Sequence, residues 1–348
     1  MSGPPRRQAV DVVRVLGVLA VVVIHAAPFA RLTPRVPIGA AWTPATIANQ
    51  LARFAVPCFF VLAGFFWSHG TADDDTRVAR AWRNARRLAL VFVAWSLVYC
   101  LPFDGTRILR DPPHGVLSLL RHDLRWFATH PGTVLLQGTQ GHLWFLSALV
   151  ACYALVAVAL RRIGPRGLAL LAVAMAIATL LAGPYRPTAL GLVARFNVRN
   201  GPGFWLQFFL AGAWLAARPP HPRQARLGLA CAAAGLLVSA LELTALHGRY
   251  GVSLAQDFVL GTVPLGVGIA MVALADPPWA RWPRVAALGP IVLGIYASHM
   301  LVLELVRPLA RHGPALAADG ALLAGTFLLA AGLARALART RRLAPLVG

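Results

Sequence analysis

Long apolar stretches alternate along this chain with short polar ones, and their lengths match the thickness of a bilayer. A helix crossing the hydrocarbon core needs about 20 mostly apolar residues. Ten segments approach that length, at about 12–30, 46–68, 88–103, 142–160, 167–183, 203–217, 228–246, 255–274, 285–306 and 316–334. The third, fifth and sixth are short, which fits tilted or re-entrant helices or a locally thin bilayer. The pattern predicts an all-α fold: a polytopic transmembrane helical bundle of about ten spans. It forms a single domain over residues 1–348.

Composition agrees with this reading. Hydrophobic residues make up 58% of the chain and charged ones 13%, with a mean hydropathy of +0.66. Soluble domains run at about 45–50% apolar and about 25% charged. The figures exclude a soluble globular enzyme, a disordered tail and a disulfide scaffold. Cys58, Cys100, Cys152 and Cys231 all lie in apolar runs without metal-ligand spacing, so neither a disulfide nor a metal site is expected. The first apolar run has a charged start like a leader peptide. Arg14 interrupts it and Pro28 follows Ala26-Ala27, so a retained first helix is the better reading.

The charge is lopsided, with 33 basic residues, all arginine, against 12 acidic ones and a net charge of +21. Nucleic-acid binding would need those arginines on one polar face, and they are instead scattered between the apolar runs. No nucleic-acid partner is expected. With the N-terminus inside, nineteen of the 33 arginines fall on cytoplasmic segments and twelve on outer ones; Arg14 and Arg53 lie within spans. The bias places both termini in the cytoplasm. The expected location is the plasma membrane of a bacterial-type cell, with lipid around a multi-pass protein. Two loops stand out. The inner loop from His69 to Arg87 opens with three aspartates and then carries Arg77, Arg80, Arg83, Arg86 and Arg87 along one helical stripe. The outer loop from about Asp104 to Gly141 contains His114, His122, Trp126 and His130 with no obvious element of its own, the pattern of a lid or binding loop.

Ionisable groups inside spans are costly and mark function by default. Arg14 and His25 share a face of the first helix about 16 Å apart along its axis, too far to touch. They would serve two parts of one long ligand or two sites. His299 in the ninth span lies at a depth matching His25. Glu304 follows it, and Glu242 holds a similar outer position in the seventh span; these are the only glutamates. A carboxylate beside a histidine fits general-base chemistry, by holding the tautomer and stabilising the imidazolium. Both glutamates equally fit pairing with outer arginines such as Arg249 or Arg307. Arg53 sits before Pro57, which would kink the second span. His142 and Trp144 open the fourth span, where an aromatic belt alone would place them.

Taken in order, these segments resemble the acyltransferase 3 family of integral membrane O-acyltransferases, in its branch of small single-domain acetyltransferases. The resemblance rests on Asp11-Val12-Val13-Arg14 with the spacing to His25, and on the Arg53-to-Gly64 segment. It continues through the arginine loop to Arg87, Trp95-Ser96, His142-Leu143-Trp144-Phe145-Leu146 and Tyr296-Ala297-Ser298-His299. Ala63 stands where the family often has serine, and Ala297-Ser298 precede the late histidine where leucine and isoleucine types are usual. The resemblance implies transfer of an acyl group, usually acetyl from acetyl-CoA as a donor substrate, with no tightly bound cofactor. The acceptor would be a carbohydrate or glycolipid hydroxyl. His25 would act as base or acyl carrier, with His299, Glu304, Glu242 and Arg14 as further candidates at the chemistry. Arg14, Arg80, Arg83, Arg86 and Arg87 would hold the phosphates of coenzyme A, where guanidinium offers bidentate donors. Arg53, His142 and Trp144 would orient the acceptor. A transporter or flippase for a glycan or lipid intermediate is the competing reading, since intramembrane Arg and His also line transport paths.

Overall fold

The computed structural model describes residues 7–71, 73–101, 112–194, 197–218, 221–309 and 314–348. Among them the chain is helical, with no strand. In chain order the helices are α1 (Gln8–Ala26), α2 (Pro44–Leu51), α3 (Ala55–Ser68), α4 (Asp74–Val98), α5 (Pro112–Thr129), α6 (Pro131–Gln137) and α7 (Trp144–Ala182). They continue as α8 (Pro202–Ala216), α9 (Gln224–Tyr250), α10 (Thr262–Ala275), α11 (Pro283–Ala286), α12 (Val292–Val306) and α13 (Ala315–Arg339).

Each of the ten expected spans overlaps one of these helices. Six stretches of the described residues are long and apolar enough to cross a membrane: Gln8–Leu32, Pro44–Ser68, Gly141–Ala182, Gln224–Tyr250, Pro283–Val306 and Ala315–Arg339. The others fall on helices that are shorter, such as α8 and α10, or carry charge in their first half, as α4 does with its arginines. The boundary expected between the fourth and fifth spans appears inside α7. There Gly164 takes a left-handed φ of 66° and Pro165 removes the next ladder donor, so two helices meet end to end.

Local chemistry explains the other limits. Asp73 caps α4, its carboxylate accepting from the Thr76 amide at 2.7 Å. That hydrogen bond holds the Asp73 carboxyl below the ordinary carboxylate range, and Asp74 and Asp75 complement the dipole in the first turn. The first helix lies four residues earlier than the expected span: α1 stops at Ala26 because Pro28 cannot continue the ladder, and Ala27 turns left-handed at φ 51°. The outer loop is not structureless either. Two prolines start α5 and Pro131 starts α6, so helices fill the segment from 112 to 137. Its start, 102–111, and the side chain of His114 lie outside the described residues, as does Arg6.

Helix α1 lies at the centre, packed on α3, α10, α11, α12 and α13. Carboxylates from elsewhere in the chain hold the backbone near both of its ends: the Ala9 amide donates to Asp276 at 2.8 Å and the Phe29 amide to Asp319 at 2.7 Å. Around this centre α9 packs on α10, α3 on α8, α4 on α7 and α12 on α13. The α9–α10 pair meets through glycine. A methyl at Gly228 would lie 2.6 Å from the Gly268 carbonyl, and one at Gly268 would lie 2.5 Å from the Gly228 carbonyl. Such backbone approach is how helices associate where burial of apolar surface offers no gain.

Candidate active site

Three histidines meet in the core. His25 comes from the last turn of α1, His299 from the middle of α12, and His142 from a single 3-10 turn leading into α7. The His25 and His299 ring centres are 5.3 Å apart, His142 and His299 4.9 Å, and His25 and His142 6.4 Å. His299 is 0% exposed and His142 3%. The sequence puts His299 at the depth of His25 and offers His142 to the acceptor; the structure brings all three together.

Hydrogen bonds set two of the tautomers. His142 donates from Nε2 to the Ala297 carbonyl at 3.2 Å, which leaves Nδ1 as the bare nitrogen. His299 donates from Nδ1 to the Tyr296 carbonyl, which leaves Nε2 bare. Both bare nitrogens are buried without a protein partner. A buried lone pair with no partner is expensive unless something else fills it. Two in one cluster make it a place for a hydroxyl proton.

Two tyrosines frame the cluster, and no pattern in the sequence points to that role. Tyr99 stands in the ladder of α12: its hydroxyl donates to the Ala297 carbonyl at 2.7 Å and accepts from the Leu301 amide at 3.1 Å. An inserted side chain of this kind locally opens a helix. Its ring packs edge-on to His142 at 5.1 Å. Tyr296 lies 5.7 Å from His142 and 5.8 Å from His299, and its hydroxyl donates to the His142 carbonyl.

Each tyrosine also lines a cavity. On the arginine side a cavity of about 330 Å³ is bounded by Arg14, Asn84, Arg87, Phe145, Tyr153 and Tyr296, among others. On the side of α5 and α6 a second cavity, of about 410 Å³, is bounded by Tyr99, His122, Asp123, Trp126, Gln140 and Glu304 among its lining residues. Gly141, the neighbour of His142, is in the second wall. The three clustered histidines themselves line neither cavity; Tyr296 joins the cluster to the first, of guanidinium and aromatic lining, and Tyr99 to the second, of carboxylate, amide and indole lining.

The remaining expected residues divide clearly. Arg14 lines the first cavity and pairs with Asp11 at 3.6 Å. Arg87 lines it as well, and donates to the Gly348 carbonyl. Arg83 and Arg86 are exposed on α4. Arg80 has another role: it donates to the carbonyls of Phe66, Trp67 and His69 at 3.1, 3.0 and 2.9 Å, closing the end of α3. Arg53 pairs with Asp257 and donates to Asn49 at 3.0 Å, and Arg199 bonds the other Asp257 oxygen at 3.3 Å. Arg199 also lies over the Trp144 ring at 4.9 Å. Asp257 and Arg199 carried no sequence signal, since they are more than fifty residues from each other and further still from Arg53.

The glutamates part company. Glu304 lines the second cavity and pairs with Arg307 at 3.0 Å, the arginine partner expected for it. Glu242 accepts from the Tyr185 hydroxyl at 2.9 Å, the Leu260 amide at 3.1 Å and the Gly261 amide at 3.4 Å. It therefore caps the start of α10, with no histidine among those partners. Burial, and then the Glu242 carboxylate, push the Tyr185 hydroxyl up to about 12. No group of three His, Cys, Asp or Glu among the described residues is placed to hold a metal ion.

Apolar spanning helices closed over a polar, histidine-bearing centre define an integral membrane protein. Its family follows from the whole chain: a family model described as an acyltransferase domain matches residues 7–335, and the protein belongs to that acyltransferase 3 family. Its activity class is thus acyl transfer. No curated protein and no solved structure matches the chain.

Proposed function

We propose that the protein moves an acyl group, in the first instance acetyl, from acyl-CoA to a hydroxyl of a carbohydrate or glycolipid. It would do so within a ten-span bundle of the plasma membrane, with both termini in the cytoplasm. The observation that carries this reading is the histidine cluster between two chambers. At about 330 Å³ the first chamber is at the small end of ligand pockets, which run from about 300 to 1,000 Å³. It suits the thin pantetheine arm. The nucleotide would stay outside against Arg83 and Arg86, with Arg14 and Arg87 at the chamber wall. Arg80, already bonded to three carbonyls, would support the helix end beside them rather than the donor.

The second chamber suits a sugar. Trp126 offers a face for C–H groups, and Asp123, Gln140 and Glu304 offer hydroxyl partners. At the junction His25 would take the proton of the acceptor hydroxyl, with the bare nitrogens of His142 and His299 as further hydrogen-bond acceptors beside it. The hydroxyl oxygen attacks the thioester carbonyl and the C–S bond breaks. The departing sulfur takes up the proton, giving an ester and free coenzyme A thiol.

The test uses purified protein in nanodiscs with radiolabelled acetyl-CoA. Acetyl transfer to a glycan hydroxyl, or at least slow thioester loss, is expected, and His25→Ala should abolish it. Arg14→Ala should mainly weaken donor binding. Failure to bind coenzyme A at all would overturn the reading and favour the transporter.

A further inference from the structure

The turn that follows His25 is tied to a distant carboxylate. Ala27 and Phe29 both have positive φ, at 51° and 67°, a region that side chains other than glycine rarely adopt. Such a conformation persists only where its surroundings over-determine it. Here the Phe29 amide donates to Asp319 Oδ2 at 2.7 Å. Asp319 is 8% exposed, on the otherwise apolar outer half of α13, which packs directly on α1. An acid there is costly, and the Phe29 amide gives it a partner. A second hold comes from α12, where Arg307 donates to the His25 carbonyl at 3.2 Å while paired with Glu304.

We propose that Asp319 is a positioning residue for His25: by fixing the left-handed turn at 27–29 it holds the end of α1 where His25 lies beside His142 and His299. Without that acceptor, the backbone after His25 relaxes toward ordinary φ values and the imidazole leaves the cluster. The inference rests on His25 being the reacting base. A displacement near 1 Å is enough to slow a positioned reaction on the order of 100-fold.

The experiment compares thioester turnover of labelled acetyl-CoA by the full chain in nanodiscs. Asp319→Ala should lower kcat on the order of 100-fold while the KM for acetyl-CoA stays within about twofold. Asp319→Asn keeps a side-chain oxygen for the Phe29 amide and should retain most of the rate. Adding Phe29→Gly to Asp319→Ala should restore part of kcat, because glycine holds a positive φ without help. The double variant with His25→Ala should be no slower than His25→Ala alone. Equal losses in Asp319→Ala and Asp319→Asn, an unchanged kcat in Asp319→Ala, or a parallel loss of coenzyme A binding would overturn the proposal. If His25→Ala itself stays active, it is the function reading that fails instead. Should Asp319→Ala not fold, full activity of Phe29→Gly/Asp319→Asn together with inactivity of Phe29→Gly/Asp319→Leu would overturn it as well, since glycine should make the acceptor dispensable.

Discussion

Glu242 separates structural from chemical use of an intramembrane carboxylate, and Glu242→Ala tests which it is. The substitution removes the acceptor for the Tyr185 hydroxyl and for the amides of Leu260 and Gly261. The Leu260 amide is exposed, and its lost partner is left out of the sum. The Gly261 amide and the Tyr185 hydroxyl are partly buried, and a lost partner there costs about 1–3 kcal/mol, discounted for their partial exposure. Favourable charge at the start of α10 contributes about 0.3–1 kcal/mol more. The sum is about 2 kcal/mol of stability, with turnover per folded molecule unchanged. Glu242→Gln keeps an acceptor and should lose only the dipole part. Thermal melting in nanodiscs reads the first quantity and thioester turnover the second. Tyr185 adds a pH signature. Its ionisation sits near pH 12 in the fold, above the ordinary tyrosine value, so its contribution is full below about pH 10 and is lost as pH rises through 12. Glu242→Ala removes the second cause of that shift, and the phenolate should appear at lower pH in an ultraviolet titration. Loss of turnover in Glu242→Ala with melting unchanged would refute the capping argument and return the residue to the chemistry.

Two arginines of one stripe should behave in opposite ways. Arg87→Ala should raise the KM for acetyl-CoA several-fold with little change in melting, whereas Arg80→Ala should lower the melting temperature and leave KM unchanged, because its guanidinium is committed to the α3 carbonyls. A reversed pattern in steady-state kinetics and thermal scans would refute the assignment. Gly268→Leu should separate α9 from α10, read as a loss of folded, monodisperse protein on size exclusion, since a side chain there would run into the Gly228 carbonyl; unaltered folding would show that the two helices do not need that approach.

Much of the bundle could be read from hydropathy because bilayer thickness confines spanning helices to a narrow range of lengths. The break at Gly164-Pro165 was legible for the same reason, two apolar runs being separated by a short arginine-bearing turn. The histidines were legible because an imidazole in an apolar run stands out. Tyr99 and Tyr296 did not, since tyrosine in such a run looks like ordinary packing, and only the fold shows a hydroxyl inside the α12 ladder. Asp319 was an acid in an apolar run and carried the same signal as the glutamates, but its partner Phe29 is 290 residues away, and no local pattern connects them. For Glu242 the structure adds partners that the sequence does not show. Depth alone suggested chemistry, while the amides that occupy it belong to a helix start invisible until the chain is folded.

Helix α4 joins two matters so far kept apart. Near its middle Arg87 lines the first cavity, and the residue closing its far end, Tyr99, holds open the turn of α12 that seats His142. Its 25 residues make a rod about 37 Å long with no proline to absorb bending. Any tilt imposed at Arg87 is therefore shared by the Tyr99 hydroxyl about 18 Å further along, which links the wall of the first cavity to the seat of His142.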